Sequence, residues 1–320
     1  MSFSSKVKSE LLHHYGDARH CNIAEIAAII NLCGEVEENN GKFSLKVNTE
    51  NVSVARKYFT LLKKTFNIEC GMLAKRNNTL KKNRVYTLEL TDENGEAEKV
   101  LLATGVLRNT DEGKVLFPNV SPLIMSSTCC KRAFIRGAFL SSGSISDPEK
   151  NYHLEFVCSA EEKSEQLKDV INSFGLDAKV IKRKEHFVVY LKDGEHISDL
   201  LNVIEAHVSL MDMENVRILK DVRNNVNRKV NCETANLNKT IAASVKQIED
   251  IIFIRDNYGF DYLPKTLEEM ARVRLSYPDD SLKELGERLD PKVGKSGVNH
   301  RLRKISNIAE GLREGNLTDV

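Results

Sequence analysis

No run in this 320-residue sequence approaches the roughly eighteen consecutive apolar residues that a membrane-spanning helix needs, so none is expected to cross a membrane. The opening residues, Met1-Ser-Phe-Ser-Ser-Lys-Val-Lys-Ser-Glu10, hold no apolar stretch of the kind that directs secretion. Seven cysteines are present (Cys21, Cys33, Cys70, Cys129, Cys130, Cys158 and Cys232), but none forms a CxxC pair. Disulfide frameworks and zinc ribbons both depend on paired spacing, so reduced, mostly buried thiols in a cytoplasmic protein are the expectation. Neither GxxxxGKS, GxxxxGKT nor GxGxxG occurs, which removes the usual phosphate cradles, and no cofactor is expected. Formal charge is only +1, which by itself argues against a strongly basic coat for nucleic acid.

What is present is an ordinary globular composition, 41% hydrophobic and 29% charged, on a chain long enough for two or three domains. The near-zero net charge hides an uneven distribution. Lys75, Arg76, Lys81, Lys82 and Arg84 stand together with no acid among them. Lys179, Lys182, Arg183 and Lys184 are opposed only by Glu185, and Arg217, Lys220, Arg223, Arg228 and Lys229 surround Asp221. Lys292, Lys295, Arg301, Arg303 and Lys304 again include no acid. Any one such cluster is ordinarily a solvated face; four on a neutral chain point to a polyanion-binding surface.

The first two-thirds of the chain contain an internal repeat. Asn22–Cys33 and Cys130–Ser142 both read as apolar helices ended by a glycine, Gly34 and Gly143. An alternating strand follows each, Lys42–Val47 and Tyr152–Val157, then an amphipathic helix, Val52–Phe66 and Glu162–Phe174, stopped by Asn67 and Gly175. Strand pairs come next, Ile68–Arg76 with Val85–Leu90 and Ala178–Lys184 with Phe187–Leu191, and helices at Lys99–Leu107 and Ile197–His207 close the units. Equivalent points lie about 108 to 110 residues apart, which argues for two α-β-β-α-β-β-α units, 1–110 and 111–210. The first two basic clusters fall on equivalent late strands. Residues 211–229 read as a helical linker, and 230–320 as an all-α region punctuated by Pro264, Pro278 and Pro291. The fold class expected is therefore α+β, a pseudo-symmetric tandem repeat followed by a helical domain.

Near the C-terminus, Ser281 is a good N-cap, and Glu284 three residues on completes a capping box. Leu282, Leu285 and Leu289 make one apolar stripe, and Gly286 permits close approach of a second helix. That helix, Lys295–Arg313, would bury Val298, Leu302, Ile305, Ala309 and Leu312. It leaves Lys295, Ser296, Gly297, Asn299, His300, Arg303 and Arg301 facing outward at its start. Short polar and amide side chains beside Lys and Arg are what a helix-turn-helix needs to read base edges and grip phosphates of double-stranded DNA. Lys292 and Lys304 would add phosphate contacts, and Ser281 is a further candidate DNA contact. The turn from Asp290 to Gly294 is about two residues longer than the tight form.

Ile135-Arg-Gly-Ala-Phe-Leu-Ser-Ser-Gly-Ser144 resembles the LAGLIDADG signature of homing endonucleases, and Ile26-Ala-Ala-Ile-Ile-Asn-Leu-Cys-Gly34 resembles a weaker second copy. The helix-turn-helix segment, and Asn231-Cys-Glu-Thr-Ala-Asn-Leu-Asn-Lys-Thr240 before it, resemble the bacterial WhiA family. That resemblance covers nearly the whole chain. It implies a LAGLIDADG-like domain joined to a helix-turn-helix, in a transcription regulator linked to sporulation, cell division or chromosome segregation. In active LAGLIDADG nucleases the acid just before each motif glycine holds a divalent metal, and those positions here are Cys33 and Ser142. Mg²⁺ demands hard anionic oxygens, so the resemblance implies a degenerate, non-catalytic site. The motif glycines Gly34, Gly137 and Gly143 are read as packing residues.

The expectation is a non-enzymatic, nucleoid-associated regulator of double-stranded DNA. The alternatives are an endonuclease with relocated metal ligands, or a protein that binds DNA only with another regulator or RNA polymerase. Lys75, Arg76, Lys81, Lys82, Lys182, Arg183 and Lys184 are candidate secondary DNA contacts on the repeat, with a protein-contact platform as the other reading. His13, His14, His20 and Cys21 match no common zinc spacing, so no metal is expected. Cys129-Cys130, at a helix start beside Lys131 and Arg132, are read as buried packing residues in preference to a redox pair.

Overall fold

The computed structural model of the chain describes residues 2–76, 84–91, 95–111 and 113–314. It divides into two compact units, 1–221 and 222–320. In the first unit the repeat is plain. Helix α1 (Phe3–Leu12) precedes α2 (Arg19–Cys33), strands β1 (Gly34–Asn39) and β2 (Lys42–Thr49), α3 (Val52–Phe66), β3 (Gly71–Arg76), β4 (Arg84–Leu90) and α4 (Glu96–Ala103). A hairpin, β5 (Leu107–Thr110) and β6 (Gly113–Leu116), and a 3₁₀ turn at Pro122–Met125 lead to the second copy. That copy is α5 (Thr128–Ser142), β7 (Gly143–Ile145), β8 (Leu154–Cys158), α6 (Glu161–Asn172), β9 (Lys179–Arg183), β10 (His186–Leu191) and α7 (Gly194–Val203).

The two main sheets have the same antiparallel order, β1-β2-β4-β3 and β7-β8-β10-β9. Alternation explains which face of each is covered: Phe43, Leu45 and Val47 of β2 are buried, with Ser44, Lys46 and Asn48 between them pointing the other way. The amphipathic α3 buries Val54, Tyr58, Leu61 and Leu62 and stops at Asn67, whose φ of 57° is the left-handed cap the sequence suggested.

Helices α2 and α5 pack directly together and carry the centre of the unit. A Cβ on Gly137 would lie 2.5 Å from the Glu25 carbonyl oxygen, so only glycine allows the helices this close. Their apolar faces, Ile26, Ile29 and Ile30 with Phe134, Ile135, Ala138 and Phe139, join one continuous core with both sheets. The expected units 1–110 and 111–210 are thus two halves of a single core, because the motif helices are buried nearly all round and pack on each other as well as on the sheets and neighbouring helices. The core also buries charge. Lys57 Nζ meets Glu25 at 2.6 Å and donates to the Leu11 carbonyl at 2.7 Å. Arg136 Nε meets Glu25 at 3.1 Å, and its other arm reaches Glu205.

Five elements were not located in the sequence. The short first strands β1 and β7 begin at the motif glycines, where a single turn of sequence carries little periodicity. The hairpin β5–β6 is four residues per strand and largely exposed on β6. Helix α1 buries only Val7 and Leu11, yet its Glu10 carboxylate accepts from the Val208 and Ser209 backbone N–H groups and from the Ser209 hydroxyl, capping the next helix.

That helix, α8, runs His207–Asn257 without interruption. The segment expected as a separate linker, 211–229, is helical but continues into the helix that opens the second unit, since no Pro or Gly falls between His207 and Asn257. In the second unit, Leu237, Ile241 and Val245 of α8 are exposed, and only the end with Ile251 and Ile254 enters the core. Helices α9 (Lys265–Ser276), α10 (Leu282–Glu287) and α11 (Lys295–Arg313) complete it, burying Leu267, Met270, Leu285, Leu289, Val298, Leu302 and Ile305 together.

Candidate functional site

The helix-turn-helix is built by local signals. The Ser281 hydroxyl accepts from the Glu284 N–H at 3.4 Å while the Glu284 carboxylate accepts from the Ser281 N–H at 2.8 Å, the full capping box. The chain returns through a longer turn in which the Val293 N–H donates to the Gly286 carbonyl at 3.0 Å. A Cβ at Gly286 would sit 2.0 Å from the Val293 carbonyl oxygen and 3.1 Å from Val298 Cγ2. Gly286 therefore admits the turn as well as the second helix.

On α11 the buried stripe is the expected one, Val298, Leu302, Ile305, Ala309 and Leu312. At about 100° per residue, the ridge opposite that stripe is Ser296, His300, Arg303 and Lys304, all exposed. Lys292 and Lys295 are exposed beside it, while Gly297 is half-buried. Asn299 takes a flanking position and lines a cavity of 240 Å³ with Ser281, Leu282, Lys239, Ser244 and Arg274. Arg301 is half-buried and reaches toward the Thr266 carbonyl at 3.5 Å, so its side chain is directed to the start of α9. The helical period could have separated Asn299 and Arg301 from the outer ridge; simple adjacency grouped them with it.

The C-terminal ends of the motif helices are the other site the sequence singled out. Cys33 and Ser142 occupy equivalent positions there, and both are largely enclosed. Lys8 of α1 donates to the Leu140 carbonyl at 3.3 Å. Lys163 of α6 donates to the Asn31 carbonyl. Asn31 and Leu140 each lie two residues before the end of their helix, so the two lysines serve pseudo-equivalent carbonyls, and both ammonium groups act on Cys33. Burial nevertheless pushes the Cys33 thiol up, and burial pushes both lysines below their usual range. A divalent ion at this end would find a thiol, a hydroxyl and two amines in place of paired carboxylates. The donor set does not fit it. Glu35 lies on β1 and is exposed. Asp147 accepts the Glu149 N–H in a turn.

The open faces of the sheets are not uniformly basic. On the first, Lys46 stands between Glu35 and Glu89 in register and lies 3.2 Å from Glu37 and 3.7 Å from Glu89. On the second, Arg183 pairs with Glu155 at 3.3 Å, and Val157 and Ile181 are exposed. Lys182 alternates to the opposite face, over the Phe187 ring, and Lys184 sits in the hairpin turn at φ 56°. Lys75 and Arg76 end β3, in register with Val85 and Arg84; Lys81 and Lys82 lie outside the described residues.

Three domain models match in order: the WhiA N-terminal LAGLIDADG-like domain over 19–107, the WhiA LAGLIDADG-like domain over 131–223, and the WhiA C-terminal HTH domain over 226–309. A protein of Lachnoclostridium phytofermentans named "Probable cell division protein WhiA" is 52% identical over 98% of this chain and all of its own length. The chain belongs to the WhiA family. A WhiA protein of the same name from Clostridium botulinum is 50% identical over 99% of this chain and all of its own. The crystal structure of full-length WhiA from Thermatoga maritima matches with a TM-score of 0.60 at 25% identity, over 97% of this chain and 98% of that one. The α+β repeat with a helical C-terminal domain is thus the WhiA fold. No helix among the described residues is long and apolar enough to cross a membrane.

One grouping in this WhiA chain went unforeseen. His13 Nδ1 donates to the Ser9 carbonyl, and His14 faces Glu205 at 3.0 Å, so neither joins His20 and Cys21. Instead, His20 and Cys21 at the start of α2 meet Cys129 and Cys130 at the start of α5. The two pairs share the repeat offset that relates Cys33 to Ser142, which marks them as equivalent positions, but only the packing of α2 on α5 brings them together.

Proposed function

We propose that the chain is a sequence-specific DNA-binding transcription regulator acting in cell division, sporulation or chromosome segregation. In this reading its LAGLIDADG-like unit no longer cuts. The observation that carries the reading is the outer ridge of α11, Ser296, His300, Arg303 and Lys304, exposed beside Lys292 and Lys295 on a well-capped helix-turn-helix. Short polar groups and a guanidinium at the start of a helix suit base edges in the major groove, and the lysines suit phosphates. Asn299 and Ser281 are assigned a supporting place in the cleft behind that ridge, and Arg301 a structural one. The work is non-enzymatic and intracellular, on the nucleoid.

Loss of nuclease activity follows from Lys8 and Lys163 at the ends where active relatives of the fold need carboxylates. A second reading assigns the repeat unit to protein contact, with another regulator or RNA polymerase as partner. It is favoured by the Glu35, Glu37 and Glu89 face and by exposed Val157 and Ile181. Lys75, Arg76, Lys182, Arg183 and Lys184 are then secondary to α11 for DNA.

The test incubates full-length protein with fragmented bacterial genomic DNA and Mg²⁺, then sequences the retained fragments and their ends. Intact fragments sharing a short motif are expected. Protein-dependent breaks at a defined sequence would overturn the non-cutting reading. Retention that requires an added partner would shift the function to the second reading.

A further inference from the structure

His20 and Cys21 open α2, and Cys129 and Cys130 open α5; the repeat that packs the two helices side by side brings these dipeptides face to face. One donor atom from each of the four residues lies within 4.8 Å of all the others. His20 Nδ1 is 3.1 Å from Cys130 Sγ, 3.4 Å from Cys21 Sγ and 4.0 Å from Cys129 Sγ. Zinc bonded to sulfur at about 2.3 Å and to imidazole at about 2.0–2.1 Å in a tetrahedron sets its ligands roughly 3.5–3.8 Å apart. The distances here bracket that range.

We infer that His20, Cys21, Cys129 and Cys130 form a structural zinc site that clamps the first turns of the two motif helices. Three thiolates and one imidazole are a soft, tetrahedral donor set, which selects Zn²⁺ over Mg²⁺ or Ca²⁺. Four protein ligands leave no open position, so the ion is structural. The cluster lies at the opposite end of the helices from Cys33 and Ser142, about twelve residues or roughly 18 Å along α2. It is therefore separate from the lost nuclease centre.

The surroundings supply what such a site requires beyond its ligands. The Ser127 hydroxyl donates to Cys130 Sγ at 3.1 Å and lies 3.3 Å from Cys129 Sγ, an outer partner for the sulfurs. Two helix N-termini point their partial positive charge at the cluster, which offsets the single net negative charge of a zinc with three thiolates. A cavity of 490 Å³ lined by His20, Ser126, Ser127, Cys129 and Cys130 opens onto it, and Cys129 is exposed, so an ion has a way in. A disulfide between Cys21 and one partner is the competing chemistry. It would leave the third thiol and the imidazole without a role.

The experiment uses full-length protein purified under reducing conditions without chelator. Elemental analysis is expected to give one zinc per chain. Replacement by Co²⁺ is expected to produce the sulfur-to-cobalt charge-transfer band and the intense visible bands of a tetrahedral ion. Cys129→Ser should weaken Co²⁺ binding by more than the roughly ten- to hundred-fold that losing an outer partner costs, and reduce the charge-transfer intensity by about a third. Ser127→Ala should weaken it by roughly ten-fold, and Cys232→Ser, at an exposed thiol of the second unit, should change nothing. Far-ultraviolet circular dichroism checks that each variant is folded, and His20→Asn replaces Cys129→Ser if that variant is not. Protein that retains no zinc and gives no cobalt spectrum overturns the proposal. So does an intact mass short by two hydrogens, which would mean a disulfide.

Discussion

On the open face of the first sheet Lys46 lies between Glu37 and Glu89, and Glu37 beside it pushes the ammonium above its usual range. Along the outer ridge of α11, Arg303 and Lys304 face solvent with no ion-pair partner among the described residues. Both regions carry basic residues on a solvent-facing surface. They differ in what stands opposite: a strand's side chain has cross-strand neighbours about 5 Å away, whereas the outer ridge of a terminal helix has none. Positive charge becomes available to a polyanion only where the fold supplies no acid. The buried core is the far extreme, since Glu25 there holds both Lys57 and Arg136 out of water.

The largest effect is expected where charge is used internally. Glu25→Gln removes the shared counter-charge of Lys57 and Arg136 and should cost about 3–5 kcal/mol in urea unfolding, while Lys46→Met on the open sheet should leave the urea midpoint nearly unchanged. Equal losses would erase the distinction between the two settings. For DNA the ranking inverts. Arg303→Ala should lose about 1–3 kcal/mol of specific binding by gel shift or anisotropy, and Lys182→Ala with Arg183→Ala should change affinity less than about two-fold. With Arg301 engaged at Thr266 and Arg303 on base edges, phosphate contacts by Lys292, Lys295 and Lys304 give a log-affinity slope against log salt of about −3. A larger loss at Lys182 and Arg183 than at Arg303 would move the DNA surface to the repeat unit.

A smaller change separates fold from contact within the helix-turn-helix. Ser281→Ala breaks the capping box and should cost about 1 kcal/mol of stability, with the remaining DNA affinity falling only as the folded fraction falls. The smallest is a pH effect. Burial, then the nearby Arg136 guanidinium, holds the His14 imidazole below the usual histidine range despite Glu205 at 3.0 Å. Its Nδ1 is buried with no hydrogen-bond partner, which suits a neutral ring donating from Nε2. The unfolded chain therefore takes up the proton first. Stability is full above about pH 6.5 and declines as pH falls from there toward the lower folded value. His14→Gln should flatten that decline in urea midpoints taken across the range; an unchanged acid limb would assign it to other groups.

Much of the fold is legible in the sequence. The span of α3 and α11, the buried stripe on α11 and the Ser281–Glu284 box follow from signals within three or four residues, which a helix reads directly. The repeat predicted two pseudo-symmetric sheets. The absence of Pro and Gly from His207 to Asn257 already implied one continuous helix, although the change in polarity there suggested a separate linker. Strands β1 and β7 were lost because a few residues after a helix carry too little alternation to stand out.

The sequence alone thus determined most of the helices, the late strands of each repeat and the family, because these are patterns in local order. Tertiary structure alone decided which acids stand opposite which bases, that Lys8 and Lys163 serve the ends of the motif helices, and that Asn299 lines a cleft. It also decided that His20 meets Cys130 across 110 positions. Donor geometry and charge pairing depend on distances of a few ångströms between residues far apart in the chain, and only packing sets those distances.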